Sequence, residues 1–197
     1  MIGFCMTGSF CTHEAALEVL EKLANYYEIV PIMSETAYET DTRFGLAADR
    51  VAKVEKLCGR RVIRTIRDAE PLGPVTPLDA MIILPCTGNT LSKLAHGITD
   101  TSVTMAAKAH LRCGRPLVIA LFTNDALSAN LKNIGTLLAR KNVYFLPMTE
   151  DDPVGKPFSL TAELSYTKQA IEYAMKDKKI MPLFVSHGKK FETGPED

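Results

Sequence analysis

Three short stretches hold the residues best suited to chemistry. Thr7-Gly8-Ser9-Phe10-Cys11-Thr12 is a small, hydroxyl-rich turn standing directly before a segment of helical spacing. The first N–H groups of a helix lack intrahelical acceptors and its dipole is positive there. Such a turn is therefore a ready anion site, most naturally for phosphate, through Gly8, Ser9 and the following backbone; a capped turn with no ligand is the alternative. The turn is neither GxGxxG nor GxxxxGK[ST], so the dinucleotide and nucleotide-hydrolysing fingerprints are absent. The second stretch, Pro85-Cys86-Thr87-Gly88-Asn89-Thr90-Leu91-Ser92-Lys93, follows an apolar run. Gly88 lets backbone approach a planar ligand closely, while Asn89 and Thr90 suit either a helix cap or a ligand. Lys93 lies one turn further on, as either a charge for an anionic substrate or a solvated lysine. The third stretch is the polar loop Thr123-Asn124-Asp125. Ser34 ends another apolar run, and Arg43 in Thr42-Arg43-Phe44-Gly45 carries a fork suited to a carboxylate, a phosphate or a surface ion pair.

His13 and Asp125 are candidates for a general base, but the neighbours of neither support the assignment, and the catalytic residues stay unassigned. His13 reads equally as an early helix residue. His96 and His110 fall in helical segments and His187 in the tail, with no HxxxH or mixed carboxylate cluster, so no metal site is expected. The five cysteines, Cys5, Cys11, Cys58, Cys86 and Cys113, are an odd set without a CxxC pair. That argues against a disulfide framework or a zinc knuckle and for a reducing cytoplasm. Cys86 reads as a small strand-end residue.

These turns need a frame to bring them together. Nearly continuous apolar runs at Ile2 to Met6, Ile29 to Met33, Val62 to Ile66, Ala80 to Leu84, Leu117 to Phe122 and Val143 to Leu146 predict strands buried on both faces, hence a parallel sheet. Between them, Ala16, Leu17, Leu20, Leu23, Ala24 and Tyr27 recur with helical spacing, as do Leu127, Leu131, Ile134 and Leu138. The segment Ala47 to Leu57 is expected to be helical, Glu70 to Pro77 a loop, Pro147 to Pro157 a Pro-rich link, and 160–177 a final amphipathic helix. The expected fold is α/β: a three-layer, Rossmann-like or flavodoxin-like, doubly wound parallel sheet of about six strands with a C-terminal helix. Residues 1–185 form one domain in this reading, and 186–197 a polar tail. Ligands of such sheets bind at the strand C-terminal edge, near the switch in strand order.

At 197 residues, 46% hydrophobic and 23% charged, the chain suits one ordinary domain rather than a disordered protein. Its 23 basic and 23 acidic side chains cancel, which excludes the broad basic footprint of a nucleic-acid binder. The longest apolar run, Leu117 to Phe122, is far short of a membrane span, and Met1 to Met6 has no basic signal-peptide region.

The pieces TGSFCTHEA (7–15), TRFG (42–45), EPLGPVTPLD (70–79), PCTGNTLSKLAHGITDTSVTMAAKA (85–109), RPLVIALFTNDAL (115–127) and FLPMTEDDPVGKP (145–157) resemble the B subunits of dipicolinate synthase, a family of spore-forming bacteria. The likeness runs from about residue 2 to about residue 185, with the PCTGNT block its most discriminating part. The wider family is that of the flavin-containing cysteine decarboxylases and their prenyltransferase relatives. The resemblance implies a flavoprotein fold that assembles as a trimer or dodecamer. It implies an FMN phosphate at Gly8 and Ser9, contacts from Ser34, and a flavin ring against Pro85, Gly88, Asn89 and Thr90. It further implies Arg43 and Lys93 as charge for a small dicarboxylate, and NADP chemistry through a partner, the A subunit of dipicolinate synthase. The implied activity is formation of dipicolinate from a dihydrodipicolinate-type precursor in the mother-cell cytoplasm of a sporulating bacterium. The alternatives are a non-catalytic FMN-fold protein that stabilises the synthase, and a free-standing FMN-binding enzyme of the decarboxylase or prenyltransferase sort. Against the latter, Pro71-Leu72-Gly73 stands where the decarboxylases carry a catalytic His, and Thr123-Asn124 where the prenyltransferases carry an Arg-Glu pair.

Overall fold

A computed structural model describes residues 1–186. Five apolar runs form parallel strands: β1 (Ile2–Met6), β2 (Ile29–Met33), β3 (Ala80–Cys86), β4 (Leu117–Thr123) and β5 (Val143–Phe145). Every residue of β1, β2, β3 and β5 is buried, as strands covered on both faces require. A hairpin, β6 (Met148–Asp152) and β7 (Lys156–Ala162), joins them antiparallel, giving the order β2-β1-β3-β4-β7-β6 with β5 also on β4. β5 pairs with Leu117 to Ile119 of β4 and β7 with Phe122 and Thr123, so the hairpin flanks only the C-terminal end of β4.

The helices are α1 (His13–Ala24), α2 (Glu35–Glu39), α3 (Ala47–Cys58), α4 (Ile66–Ala69), α5 (Gly88–His96), α6 (Ser102–Leu111), α7 (Leu131–Leu138) and α8 (Thr167–Ala174). Successive strand residues point to opposite faces and build two cores. On one face Phe4, Ile82 and Val118 meet Leu20 of α1, Val54 of α3 and Ile171 of α8. On the other Cys5, Ile83 and Ile119 meet Leu91 of α5, Ala106 of α6 and Ile134 of α7. The result is the expected three-layer α/β sheet. No helix among the described residues is long and apolar enough to cross a membrane.

Three local expectations give way. Val62 to Ile66 is not a strand: Ile63 makes one isolated bridge with Ile32, and Thr65 then caps α4, accepting from Asp68 N at 3.1 Å. Arg64 and Thr65 are exposed and interrupt the apolar run, and the cap competes with further pairing. The final helix does not begin at Leu160, which lies in β7; a 3-10 turn at Leu164–Tyr166 precedes α8. The supposed link from Pro147 to Pro157 contains the β6–β7 turn, where Asp152 Oδ1 accepts from Gly155 N at 3.0 Å, an Asp-Pro-x-Gly turn of ordinary chemistry. Alternation in β7 mimicked part of a helical stripe. Residues 187–197 of the expected tail, with His187, lie outside the described residues.

Candidate functional site

Strand order reverses beside β1: the chain moves outward to β2 on one side, while β3 and β4 extend the other. The chain leaves β1 for α1 on one face and β3 for α5 on the other, the arrangement that makes a ligand crevice at the C-terminal edge of such sheets. Thr7 forms its floor. The buried Thr7 hydroxyl donates to Pro85 O at 2.7 Å and accepts from Thr87 N at 3.1 Å. Two turns 78 and 80 residues apart in sequence are thereby stitched together. Ser9 and Asn89, each two residues beyond a member of this stitch, share that edge of the sheet.

On the β1 side, a 3-10 turn at Phe10–Thr12 leads into α1. Among the described residues the N–H groups of Phe10 and Cys11 have no acceptor, as the first turn of a helix leaves them. A Cβ on Gly8 would stand 3.1 Å from Thr36 Cγ2, so this turn lies directly against the start of α2. Ser34 caps α2: its Oγ accepts from Ala37 N at 3.3 Å and its N–H donates to Met6 O at 3.0 Å. The Ser34 hydroxyl proton is left to donate. Gly8, Ser9 and Ser34 therefore gather at one place.

On the β3 side the Leu84–Pro85 peptide is cis, and Pro85 acts through its carbonyl. Thr87 caps α5, accepting from Thr90 N at 3.3 Å and donating to Thr90 Oγ1 at 3.1 Å. Thr90 is buried and serves this cap, whereas Asn89 is exposed and its carboxamide makes no hydrogen bond among the described residues. Gly88 is buried against the end of β4. A Cβ there would stand 2.5 Å from Thr123 Oγ1, 2.6 Å from Asn130 Nδ2 and 2.8 Å from Asp125 Oδ1. Those atoms form a network. The Asp125 carboxylate accepts from the Thr123 hydroxyl and from Asn130 Nδ2, the latter at 2.9 Å to each oxygen. Asn130 Oδ1 in turn accepts from Asn133 Nδ2 at 2.8 Å. Asp125 thus braces the Thr123 and Asn130 side chains, and its oxygens are engaged by those donors.

His13 is buried, with Nε2 2.7 Å from Thr7 O. Burial pushes its pKa below the usual 6.5, the bond to Thr7 O opposes this, and Arg50 adds to the lowering. The ring is neutral at pH 7, donates through Nε2–H, and keeps Nδ1 buried without a partner. With Nδ1 sealed from solvent, His13 is not placed to act as a base. His110 repeats the pattern on Pro116 O at 2.9 Å, its pKa lowered first by burial. A folded-state pKa below the unfolded value of 6.5 means the unfolded chain binds protons first on acidification. Stability is then complete above that value and declines as pH falls through it. Urea unfolding followed between about pH 7.5 and about pH 5 should show the midpoint dropping below about pH 6.5, less steeply in His13→Asn. A midpoint that is flat over this range contradicts the neutral buried rings.

Two expected charges have other partners. Lys93 Nζ reaches both oxygens of Asp100 at 2.8 and 2.9 Å, and this bond holds the Asp100 carboxyl below its usual pKa. The pairing competes with any substrate carboxylate. Arg43 is exposed on a turn closed by Thr42 and Gly45, with its guanidinium 4.8 Å from the Phe44 ring centroid. Neither is hydrogen-bonded to the crevice turns. A concavity of about 620 Å³ also lies away from the crevice, between α2 and α3 and lined by Tyr38, Asp41, Val51 and Arg64 among others.

Sequence reasoning named Thr7 only as part of its turn, with no role of its own, and passed over Asn130 and Arg50. Arg50 is buried on α3, donating from Nε and Nη2 to Ala37 O at 3.1 and 3.0 Å and from Nη2 to Thr40 O at 2.9 Å. Its place on the inward stripe with Ala47 and Val54 was the available signal, since an arginine there must have polar partners.

The Flavoprotein family model matches residues 1–171. The B subunit of dipicolinate synthase from Bacillus subtilis (strain 168) is 45% identical over 187 residues, 94% of each chain. The crystal structure of the corresponding B subunit from Bacillus halodurans superimposes with a TM-score of 0.86 at 40% identity, covering 94% of this chain and 95% of that one. A dodecameric FMN-dependent Ubix-like decarboxylase from Escherichia coli O157:H7 aligns with a TM-score of 0.60 at 25% identity, over 75% of this chain and 80% of its own. An open sheet with paired turns at its switch point, matched by that family model, is a flavoprotein-type α/β domain. The chain belongs to the Flavoprotein family and, within it, to the B subunits of dipicolinate synthase.

Proposed function

We propose that this chain acts as the B subunit of a dipicolinate synthase, working with a nicotinamide-dependent A subunit during sporulation. The observation that carries this is the 45% identity to a dipicolinate synthase B subunit over 94% of both chains. In the reaction a ring-hydroxylated tetrahydrodipicolinate-type precursor loses that hydroxyl and a neighbouring hydrogen as water to give the dihydrodipicolinate-type form. Removal of a hydride to NADP and of one proton then leaves the aromatic pyridine-2,6-dicarboxylate. This chain has no dinucleotide fingerprint, so NADP belongs to the A subunit.

The crevice suits FMN in its chemistry. The free N–H groups of Phe10 and Cys11, the Ser9 hydroxyl and the Ser34 hydroxyl fit a phosphate, and the exposed carboxamide of Asn89 beside Gly88 fits the polar edge of a flavin ring. When bound, FMN supplies a ring able to accept or return two electrons. The residues of this chain would hold it, with the Thr7 stitch fixing the two turns relative to each other. Self-assembly as a trimer or dodecamer is part of this reading, supported by the dodecameric relative.

Purified protein is expected to take up FMN, seen as a shifted visible absorption band, and to raise dipicolinate formation only when the A subunit is present. Asn89→Ala should weaken FMN about fivefold to twentyfold and leave the unfolding midpoint unchanged, because the side chain is exposed and unbonded. Full activity of the A subunit by itself, or of this chain by itself, would refute the division of labour.

A further inference from the structure

A third cation, Arg50, packs on the side chain of the phosphate turn, with its guanidinium carbon 5.3 Å from the Phe10 ring centroid. We infer that Arg50 is the specificity residue that makes the crevice select a phosphorylated flavin over an unphosphorylated one. This rests on the flavin reading above and names a residue that reading does not use. Arg50 is only 7% exposed, yet no carboxylate stands within ion-pair distance of it among the described residues. Asp41 acts on it at longer range and already accepts from Ala47 N at 2.7 Å. The carbonyl acceptors of Arg50 carry no charge and its Nη1 is not among the buried, unpartnered atoms, so its positive charge is uncompensated and open to an anion.

Its donors show which side is open. Arginine has five N–H groups. One on Nε and two on Nη2 are given to Ala37 O and Thr40 O, which fixes the end of α2. Both N–H groups of Nη1 are without an acceptor among the described residues. The guanidinium carbon lies 5.3 Å from the centroid of the Phe10 ring, and the Gly8 position lies against that same ring, 3.9 Å from Phe10 Cε2. The guanidinium therefore sits against the side chain of the turn whose own Phe10 and Cys11 N–H groups are free. A phosphate monoester, at about −1.5 to −2 charge, gains from it, while riboflavin, identical but for that group, does not.

The test titrates wild type, Arg50→Gln and Arg50→Lys with FMN and with riboflavin, following flavin fluorescence. Arg50→Gln should lose about tenfold or more in FMN affinity and less than about threefold for riboflavin. Arg50→Lys keeps the charge but not the fork on Ala37 O, so it should be less stable yet retain most of the FMN preference. Equal losses for both flavins, or a lysine variant that loses the preference as fully as glutamine, would reduce Arg50 to a brace for α2 and overturn the inference. If Arg50→Gln does not fold by circular dichroism, Arg50→Lys is judged against wild type: loss of the FMN preference overturns the inference, and a retained preference together with a phosphate-induced rise in the thermal midpoint supports it. Inorganic phosphate supplies the independent arm. It should raise the thermal midpoint of wild type and Arg50→Lys, but not of Arg50→Gln. Wild type that binds neither flavin but shows this phosphate pattern refutes the flavin reading and leaves Arg50 as the anion's partner. No phosphate effect on wild type refutes the role of Arg50.

Discussion

Gly88→Ala should destabilise the protein by about 2–4 kcal/mol and abolish measurable flavin binding. The added methyl has nowhere to go, with Thr123 Oγ1, Asn130 Nδ2 and Asp125 Oδ1 all standing within 2.8 Å of its position. Gly88 has no left-handed φ to protect, so the whole cost is steric. Either α5 backs away from the end of β4, which moves Asn89, or the Asp125 carboxylate is pushed off Thr123 and Asn130. The second route strands partly buried polar atoms, each costing about 1–3 kcal/mol. Urea unfolding measures the first quantity and a flavin titration the second. A variant as stable as wild type would show that the packing of α5 on β4 is looser than these distances require.

Thr7→Val should do comparable damage by subtraction. Valine fills the same space but removes the hydroxyl that ties Pro85 O to Thr87 N. A carbonyl and an N–H then lose their partner at the floor of the crevice, for about 2–4 kcal/mol together. Thr7→Ser restores the hydroxyl and should recover most of the loss. The two turns must also drift apart in the valine variant, so flavin affinity should fall with stability, whereas Asn89→Ala moves affinity alone. Equal stability of Thr7→Val and wild type would mean that water replaces the stitch.

These two positions mark where one-dimensional reading stops. β1 and β2 were legible to the residue, because runs buried on both faces leave an uninterrupted apolar signature. The parallel frame and the gathering of turns at one edge follow from it, since right-handed crossovers leave no other arrangement. Thr7 carries no comparable mark: a threonine at a strand end becomes a stitch only when the chain folds and brings Pro85 and Thr87 to it. Asn130, which precedes α7, and Asn133 within it show no role in the sequence, and only the fold sets Asn130 on the Asp125 carboxylate and Asn133 on Asn130. Arg50 was visible as a charge on an apolar stripe, but its partners are carbonyls, which a sequence does not advertise. Lys93 stood at a sound distance from Asn89, and only the fold shows that Asp100 holds it. Val62 to Ile66 and Leu160 failed for the opposite reason, as short apolar patterns fit strand and helix alike until pairing decides.

Hydrogen–deuterium exchange of the wild-type protein, with and without saturating FMN, tests most directly whether the turns after β1 and β3 close one shared cradle. Peptides covering Thr7–His13 and Cys86–Ser92 should slow together, and those at the opposite edge of the sheet, around Arg112–Pro116 before β4, should not change. Protection of one turn without the other, protection centred on that opposite edge, or no protection at all would contradict it.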